Sequence, residues 1–293
     1  MANLLDIRRR IKSVKNTQQI TKAMKMVSAA KLRRAQERAV SARPFAVKMA
    51  EVLTDLASQA GEDFKHPLMD ARGDQRYLLV LVTADKGLAG AFNANLIKAA
   101  QAFIREHEGR DIEILAVGRK GRDFFRRRDM LAGEYVGLTG KGRIEHGEAL
   151  EIAREVMRRF TEDEGIDKVF VIFNEFRSVI SQRVIVEQIL PVSRVEAGGG
   201  EEGEAPNLVG YKYEQPPAEI FSQLLPRLVE TQIYRALLES VASEQGARMT
   251  AMDSASKNAG ELIQSLTLNM NRIRQASITR EIIEIVSGAA AAQ

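Results

Sequence analysis

Residues 77–97 read YLLVLVTADKGLAGAFNANLI, and this stretch decides the fold class. It begins with a short run of aliphatic and β-branched residues, YLLVLVTA (77–84), which predicts a buried strand. Gly87 and Gly90 then mark a turn, and a helical pattern follows near residues 93–107. A strand that passes through a glycine turn into a helix is typical of α/β domains.

Three further β-branched runs follow the first one along the chain. They are IEILAV (112–117), VFVIF (169–173) and RVIVEQIL (183–190), with helical stretches near 119–128 and 147–164. Because a helix separates the first two strands, we expect them to pair in parallel. The short connection NEFRSVISQ predicts that the last two strands form an antiparallel hairpin. The sequence therefore predicts a Rossmann-like α/β domain over residues 70–195.

Long helical patterns flank this domain on both sides. Residues 1–60 form the first, which contains no glycine from residue 3 onward and one proline, Pro44, expected to bend it. Residues 215–293 form the second, with an interruption expected at Pro226. We predict that these two helices pack as a long antiparallel left-handed coiled coil, joined to the α/β domain by an acidic, glycine-rich flexible arm at 196–214.

The two helices differ in length, which leaves the end of the second one uncovered. At 1.5 Å per residue, the first measures ~80 Å and the second ~105 Å. If their bases align at the α/β domain, the last ~20 residues extend beyond the first helix. The sequence ITREIIEIVSGAAAAQ (278–293) carries an apolar arc along these residues, so we expect a different protein to cover it. The arc consists of Ile278, Ile282, Ile283, Ile285, Val286 and Ala289.

Composition excludes several classes of function. The chain has no cysteine, which removes disulfides, thiolate nucleophiles and cysteine metal sites, and its three histidines are scattered without metal-ligand spacing and are expected at the surface. No apolar run is long enough to span a bilayer. We find no pattern typical of a catalytic, cofactor-binding or metal site. The net charge is +4, but residues 1–40 alone hold eleven Lys or Arg against two acids.

Three patterns leave other functions open. GGGEEG (198–203) matches a dinucleotide-binding motif, but it lacks the strand and helix that the motif needs, and its two glutamates would repel a pyrophosphate. TADKGLAGAFNAN (83–95) could bind an anion, or could be a tight turn with Asn93 as the helix cap. The basic first helix could bind nucleic acid, although its first forty residues contain no aromatic residue to stack on bases. We favour an interaction protein, with a nucleotide-binding enzyme and a nucleic-acid binder as alternatives.

Four segments resemble the gamma subunit family of the bacterial rotary (F-type) ATP synthase. They are NTQQITKAMKMVSAAKLRRAQ (16–36), TADKGLAGAFNAN (83–95), SEQGARMTAMDSASKNAGELI (243–263) and IRQASITREIIEIVSGAAA (273–291). The resemblance implies a central rotor shaft that couples rotation of the membrane c ring to conformational changes in a ring of three alpha and three beta subunits, in ATP synthesis and hydrolysis. It implies that the catalytic residues belong to beta, and that the partners are alpha, beta, epsilon and the c ring, with no nucleic acid, no cofactor and no metal.

The resemblance also implies roles for individual positions. The α/β domain would be the foot on the c ring, with Tyr213 and Glu214 contributing, and the chain would lie peripherally on the cytoplasmic side of the bacterial inner membrane, bound only through the complex. The tip inside the alpha/beta sleeve would include Ile278, Ile282, Ile285, Val286 and Ala289. Coupling or partner contacts would come from Lys12, Lys15, Lys22, Met24, Arg248, Arg274, Gln275, Thr279, Glu281 and Glu284.

Overall fold

The computed structural model describes residues 4–59, 64–141, 143–162, 165–193 and 213–291, without the side chains of residues 43, 46, 58 and 288–291. Its α-helices are α1 (Leu4–Gln59), α2 (Phe92–Glu106), α3 (Arg119–Phe125), α4 (His146–Glu162) and α5 (Pro217–Ala291). Its strands are β1 (Arg76–Val82), β2 (Asp111–Val117), β3 (Leu131–Tyr135), β4 (Lys168–Phe176) and β5 (Gln182–Leu190). Short 3-10 helices cover Pro67–Met69, Arg126–Arg128 and Thr139–Lys141.

The five strands form one mixed sheet in the order β3-β2-β1-β4-β5. β1 pairs in parallel with β2 and β4, β2 pairs in parallel with β3, and β4 pairs antiparallel with β5. Leu79 in the central strand lies opposite Ile114 on one side and Phe170 on the other. The predicted parallel pair and the predicted hairpin are therefore both confirmed.

β1 is buried from its second residue onward, as expected for a central parallel strand. Leu79 and Leu81 pack in a core cluster with Leu96 and Phe103 of α2 and Phe125 of α3. The periodic apolar residues of α2 thus cover the strand that precedes them. This is the physical reason why the stretch that opens the α/β domain folds as strand, turn and helix.

The sequence prediction missed β3. Its sequence, LAGEY, has a glycine at the centre and one exposed residue, and none of its residues is fully buried. It pairs only with β2, with a register irregularity between Ile114 and Leu115, so it forms one edge of the sheet. A strand of this kind depends on its neighbour and carries little signal of its own.

The interruption predicted at Pro226 is wrong, because α5 continues through it from Pro217 to Ala291. A proline inside a helix removes one backbone hydrogen bond and crowds the preceding turn. Leu225 and Val229, on either side of Pro226, are completely buried, and Ile233 one turn later is almost so. Apolar packing of these residues holds the helix together where its backbone is weakened. α1 likewise continues through Pro44, and a bend there stays a prediction.

The chain divides into two compact units, residues 1–28 with 248–293, and residues 29–247. The second unit contains the sheet and the helices α2, α3 and α4, together with parts of α1 and α5. The expected central α/β fold with long N- and C-terminal helices is confirmed. The finer boundaries at 1–60, 70–195, 196–214 and 215–293 stay predictions, and most of the arm lies outside the described residues.

The histidines are only partly at the surface as predicted. His146 is exposed, whereas His66 and His107 are half-buried at helix ends. His66 accepts a hydrogen bond from the backbone N–H of Leu68 through its ring, and burial lowers its pKa more than Asp70 raises it. The His107 ring packs at a tilt of 34° against the Phe103 ring at the end of α2, with the ring centroids 4.2 Å apart. Both rings are explained by local structure.

Candidate coupling surface

The helix segments of the first unit run antiparallel, and two polar contacts and one close approach fix their register. Lys25 Nζ of α1 lies 2.6 Å from Asp253 Oδ1 of α5. Seven residues earlier on α1, Gln18 Nε2 donates to the backbone oxygen of Ser256 at 3.2 Å, and also faces Gly260. The contact at 25 with 253 and the contact at 18 with 260 are therefore one heptad apart on both helices. This spacing supports the predicted coiled coil, whose left-handed twist stays a prediction.

Small residues allow the two segments to approach closely. A Cβ atom on Gly260 would lie 3.0 Å from Gln18 Nε2. Thr21 and Ser28 of α1, and Ser256 and Ala259 of α5, are all buried or nearly so. The seam between the helices therefore relies on short side chains, in agreement with the alanine-rich sequence of this part of α5.

Beyond residue 274 of α5, the described residues of α1 offer nothing further to pack against. With the same register, Leu4, the first residue of α1, falls opposite residue 274. Ile7 fits this arrangement, since it is 4% exposed. Every described side chain from Ile278 to Ser287 is exposed, including Ile278 at 48%, Ile285 at 71% and Val286 at 61%. We call residues 278–287 the tip, and the side chain of Ala289 lies outside the described residues.

The basic flank of α1, defined as Lys12, Lys15 and Lys22, is exposed. Within the described part of the chain, none of the three side chains forms an ion pair with an acid. Lys25, one turn further on, differs because it is paired with Asp253. Met24 lies beside them and is half-buried. The flank therefore carries positive charge that the described residues of this chain leave unneutralised, and it is available to a negatively charged partner.

The predicted contact positions on α5 fall into two groups. Arg274, Gln275, Thr279, Glu281 and Glu284 are all exposed at or next to the tip, and Glu281 accepts a hydrogen bond from Ser277 at 3.2 Å. Arg248 is different, since only 8% of it is exposed. The structure thus brings the first five together on a solvent-facing segment and separates Arg248 from them by more than six turns of α5.

The two positions predicted for the foot also differ from each other. The Tyr213 hydroxyl donates to Asp55 Oδ2 at 2.6 Å, near the end of α1. Asp55 is buried, and it also accepts a hydrogen bond from Gln59 at 2.9 Å. Glu214 is exposed. Tyr213 is therefore engaged in a contact within the chain, and Glu214 is the one that faces solvent.

The glycine turn at residues 83–95 holds an anion of its own. The carboxylate of Asp85 accepts hydrogen bonds from the backbone N–H groups of Arg119 at 3.1 Å, Gly137 at 2.9 Å and Gly140 at 2.8 Å. It also accepts one from the Thr139 hydroxyl at 3.0 Å, which in turn accepts from the Asp85 N–H at 2.9 Å. These donors are of the kind that would bind a phosphate, and a side chain of the protein already uses them.

The charge of Asp85 is stabilised where it lies. Burial of the carboxyl alone would raise its pKa, but the N–H groups of Gly137 and Gly140, the Thr139 hydroxyl and the N–H of Arg119 outweigh burial and lower the pKa below its ordinary value. A phosphate at the same position would have to displace this ionised group. The hypothesis of an anion site in this turn is therefore not supported by the geometry.

Asn93 is not the helix cap that the sequence suggested. Ala91 occupies the cap position of α2 without a side-chain hydrogen bond, and Asn93 lies within the first turn. Its Oδ1 atom instead accepts a hydrogen bond from the Ala84 N–H at 2.9 Å. Asn93 thus ties the end of β1 to the start of α2, which makes it a structural residue of the turn.

Three further expectations concern metal sites, membrane-spanning helices and the GGGEEG motif. Among the residues that the structure describes, no cluster of three or more His, Cys, Asp or Glu could hold a metal ion. In the same described ranges, no helix is both long and apolar enough to cross a membrane. The GGGEEG motif lies outside the described residues.

Sequence reasoning missed the groups that set the helix register, namely Gln18, Lys25, Asp253 and Gly260. The only available signal was the pairing of a basic residue in one helix with an acidic residue in the other. Many such pairs are compatible with the heptad pattern. The sequence alone therefore did not select this one.

Comparison with known proteins identifies the family. A family model described as ATP synthase matches residues 3–292. The ATP synthase gamma chain of Solibacter usitatus is 54% identical over 297 residues that cover 100% of both chains. That of Geotalea daltonii is 51% identical and covers 99% of this chain and 98% of its own. The chain belongs to the ATP synthase gamma-chain family.

Solved structures agree with the assignment to the gamma-chain family. A chain from the central stalk and c ring of the Tetrahymena thermophila mitochondrial ATP synthase is 27% identical, with a TM-score of 0.61 over 81% of this chain and 99% of that one. A chain from the OSCP, F1 and c-ring structure of the Euglena gracilis mitochondrial enzyme has a TM-score of 0.69 over 98% of this chain and 94% of that one, at 19% identity. At this identity, the second comparison shows only that the two chains share a fold.

Proposed function

We propose that this gamma chain is the central rotor shaft of a proton-translocating ATP synthase. In this role it couples rotation of the membrane c ring to conformational changes in the ring of alpha and beta subunits, during both synthesis and hydrolysis of ATP. It is a non-catalytic subunit, and the catalytic residues belong to its partners. Among the described residues, the single observation that carries the proposal is the exposed apolar tip at 278–287.

The tip needs a protein cover for a physical reason. Five large aliphatic side chains, Ile278, Ile282, Ile283, Ile285 and Val286, are each about half exposed or more. Contiguous apolar surface of this kind is rare on a free soluble protein and is typical of an interface. A ring of alpha and beta subunits that encloses the tip would bury these side chains. It would also hold the end of the shaft in place while the shaft rotates.

The partners follow from relatives of known assembly. The Tetrahymena relative comes from a central stalk and c-ring structure, and the Euglena relative from a structure with F1 and the c ring. We assign F1 and the c ring as partners here as well. Following the sequence resemblance, the partners within F1 would be three alpha and three beta subunits and epsilon, without nucleic acid. The chain would then be peripheral at the cytoplasmic side of a bacterial inner membrane, bound through the complex.

Individual contacts follow from exposure and charge. The basic flank of Lys12, Lys15 and Lys22, with Met24 beside it, would face acidic surfaces of beta as the shaft turns. Arg274 and Gln275 would contact a beta loop at the base of the tip, with Thr279, Glu281 and Glu284 above them. These residues are exposed or half-buried in the described chain, as contact residues must be.

Arg248 and Tyr213 fit better as positioning residues. Arg248 is buried, so its contribution to coupling would act through the packing of α5. Tyr213 holds Asp55, which leaves the exposed Glu214 as the foot residue closer to a partner. These assignments retain all the predicted positions but divide them into contact residues and supporting residues.

The test is purification of a tagged full-length chain from a host that expresses all subunits of the complex. We expect alpha and beta to be recovered in a 3:3:1 ratio with the tagged chain, and ATP hydrolysis to appear in that complex and not in the isolated chain. Hydrolysis by the isolated chain would contradict a non-catalytic role. Recovery of the chain without alpha and beta would contradict the rotor assignment.

A further inference from the structure

A run of buried polar residues on α5 has no role in the coupling surface. Each member of the run is at most 5% exposed, and the members are Glu239, Ser240, Ser243, Glu244 and Gln245. Buried polar groups destabilise a fold unless they find hydrogen-bond partners, whereas apolar residues pack in a core without this requirement. Polar side chains at these positions therefore call for a reason beyond packing.

Three residues on one face of α5 bond to the hairpin that β4 and β5 form. Arg235, Glu239 and Ser243 follow one another at four-residue spacing, so their side chains lie along one line on the helix surface. We call these three residues the polar ridge. The polar ridge and the hairpin both belong to the unit of residues 29–247.

Two residues of the polar ridge are bonded to backbone atoms of β4. The Ser243 hydroxyl donates to the backbone oxygen of Asn174 at 3.1 Å. The Glu239 Oε2 atom accepts from the backbone N–H of Phe176 at 3.0 Å. Ser243 is completely buried and Glu239 is 5% exposed. These side chains therefore join the helix to the main chain of the sheet, in a region from which water is excluded.

Further contacts extend this attachment in both directions along α5. On one side, Arg235 Nη2 donates to both carboxylate oxygens of Glu187 in β5, at 2.8 and 2.6 Å. On the other side, Gly246 lies against the hairpin, since a Cβ atom there would be 3.4 Å from the Phe176 ring and 3.7 Å from the Val179 backbone oxygen. α5 is thus attached to the hairpin over about three turns of helix.

Hydrogen bonds and apolar packing resist sliding in different ways. Apolar contact is non-directional, so a helix can turn slightly against an apolar surface and keep much of its buried area. An N–H···O bond occupies a narrow range of about 2.7–3.2 Å, and a buried bond that is pulled apart leaves two unpaired polar groups. The polar ridge therefore opposes rotation of α5 against the sheet more strongly than apolar packing alone would.

We propose that the polar ridge is the attachment through which torque passes between the sheet and α5. The inference rests on the proposed rotor function, in which the α/β domain is the foot on the c ring and α5 continues to the tip. Torque between foot and tip has to pass from the sheet to the long helices, and the ridge joins the sheet to the longer one. Glu239 and Ser243 are positioning residues at this junction, and Arg235 adds a contact nearer to solvent.

The test compares proton pumping with ATP hydrolysis by the purified complex in lipid vesicles. The double variant Glu239→Leu, Ser243→Ala lacks one acceptor and one donor of the ridge. We expect it to hydrolyse ATP, because catalysis takes place in the partner subunits. The number of protons pumped per ATP should fall about fivefold or more, as expected when two buried hydrogen bonds are lost. Glu239→Gln keeps an acceptor for the Phe176 N–H and should pump like the wild type.

Two controls separate torque transfer from stability. Val241→Ala truncates an apolar side chain of α5 that is 2% exposed, so it lowers the melting temperature without changing the ridge. Ser240→Ala removes a neighbouring buried hydroxyl that makes none of the ridge contacts. Both controls should pump protons like the wild type, and the melting temperature of every variant is measured alongside. A loss of pumping in Val241→Ala as large as in the double variant would assign the effect to stability and overturn the proposal.

Unchanged pumping per ATP in the assembled double variant would also overturn the proposal. If the double variant does not assemble, Ser243→Ala alone takes its place, and unchanged pumping in that variant has the same meaning. Failure of the rotor function gives a different result. In that case the wild-type chain would be recovered without alpha and beta, or its complex would hydrolyse ATP without pumping protons.

Discussion

Lys25 Nζ and Asp253 Oδ1 lie 2.6 Å apart, which links the N-terminal helix to the C-terminal helix across 228 residues of sequence. Asp253 also pairs with Lys257 on its own helix at 3.0 Å. Hydrogen bonds from Lys25, and then from Lys257, lower the pKa of Asp253. The carboxylate is thus shared between a contact that joins two helices and one that supports a single helix.

Exchanging the two charges tests whether this pair sets the register. Lys25→Asp and Asp253→Lys should each lower the melting temperature of the full-length chain, because each places like charges opposite each other. The double exchange should restore most of the loss. The measurement is thermal unfolding followed by circular dichroism at pH 7. If the double exchange is no more stable than the weaker single variant, these two residues do not face each other in solution.

Asp85→Asn should destabilise the chain by about 1.5–3 kcal/mol at pH 7, because an amide cannot accept the four hydrogen bonds as strongly as a carboxylate does. The folded-state pKa of Asp85 is lowered, so its contribution is complete above the ordinary carboxyl pKa of about 3.9 and is lost as pH falls through the folded value. The difference in unfolding free energy between wild type and variant should therefore shrink below about pH 4.

The control for this prediction is Asp129→Asn. Asp129 is exposed and adopts a positive φ of 52°, a conformation that asparagine tolerates. Its replacement should change the unfolding free energy by less than about 0.5 kcal/mol. Urea unfolding at pH 7 and pH 3.5 measures both variants. Equal stability of Asp85→Asn and wild type at pH 7 would show that the carboxylate is not the group that holds these loops.

Backbone amides from Ile278 to Val286 should exchange quickly with solvent in the isolated chain and slowly in the assembled complex. The apolar side chains are covered only when the partners enclose them. Residues 252–259, which are paired with α1, should exchange slowly in both samples. Hydrogen exchange followed by mass spectrometry measures both segments, and slow exchange of 278–286 in the isolated chain would disprove an uncovered tip.

Reversing the basic flank, Lys12, Lys15 and Lys22 to Glu, should reduce assembly or coupling while the chain stays folded. Exposed charges contribute little to stability, but six units of charge change alter the field that partners meet. The matched control reverses Lys65, Lys98 and Arg154, which are also exposed and lie in the other unit. Subunit recovery and proton-coupled ATP synthesis are measured for both. Unfolding of the flank variant alone would mean that the lysines have a structural role.

Replacing Arg274 and Gln275 by Ala should leave the complex assembled and slow ATP turnover by about ten- to a hundredfold. Charge-assisted hydrogen bonds contribute roughly 1.5–3 kcal/mol, and ~1.4 kcal/mol lost at one rotary position changes a rate by a factor of ten. Arg272 and Gln264 are exposed residues of the same types on α5, and their replacement by Ala is the control. Unchanged turnover and coupling in the first variant would remove both residues from the mechanism.

The sequence predicted the elements whose side chains are buried in a regular pattern. Four strands could be recognised because each carries a short run of aliphatic and β-branched residues, which is typical of a buried strand. They are β1, β2, β4 and β5. β3 could not, because its stability comes from pairing with β2 and hardly from its own residues. The prediction of a helix interruption at Pro226 was wrong for a related reason. The tendency of proline to break a helix is visible in the sequence, but burial of the neighbouring apolar residues outweighs it.

The candidate surface was predictable to the extent that it depends on exposure. The first helix is too short to supply an apolar face opposite the apolar arc of the tip, and the described structure leaves this arc exposed. The separation of Arg248 and Tyr213 from the exposed positions was not predictable, because a polar residue in a helix or loop does not reveal whether it faces solvent or a partner such as Asp55. Burial of this kind depends on contacts between residues that are distant in the sequence.

The hydrogen bonds to Asp85 also make the order of the loops in the sheet unit independent of the nucleotide concentration. Many α/β domains close their loops around a nucleotide, and such domains loosen when the nucleotide is scarce. Here the anion that organises three loops is covalently part of the chain, so its effective concentration never falls. We expect the sheet unit to keep the same stiffness whether cellular ATP is abundant or depleted.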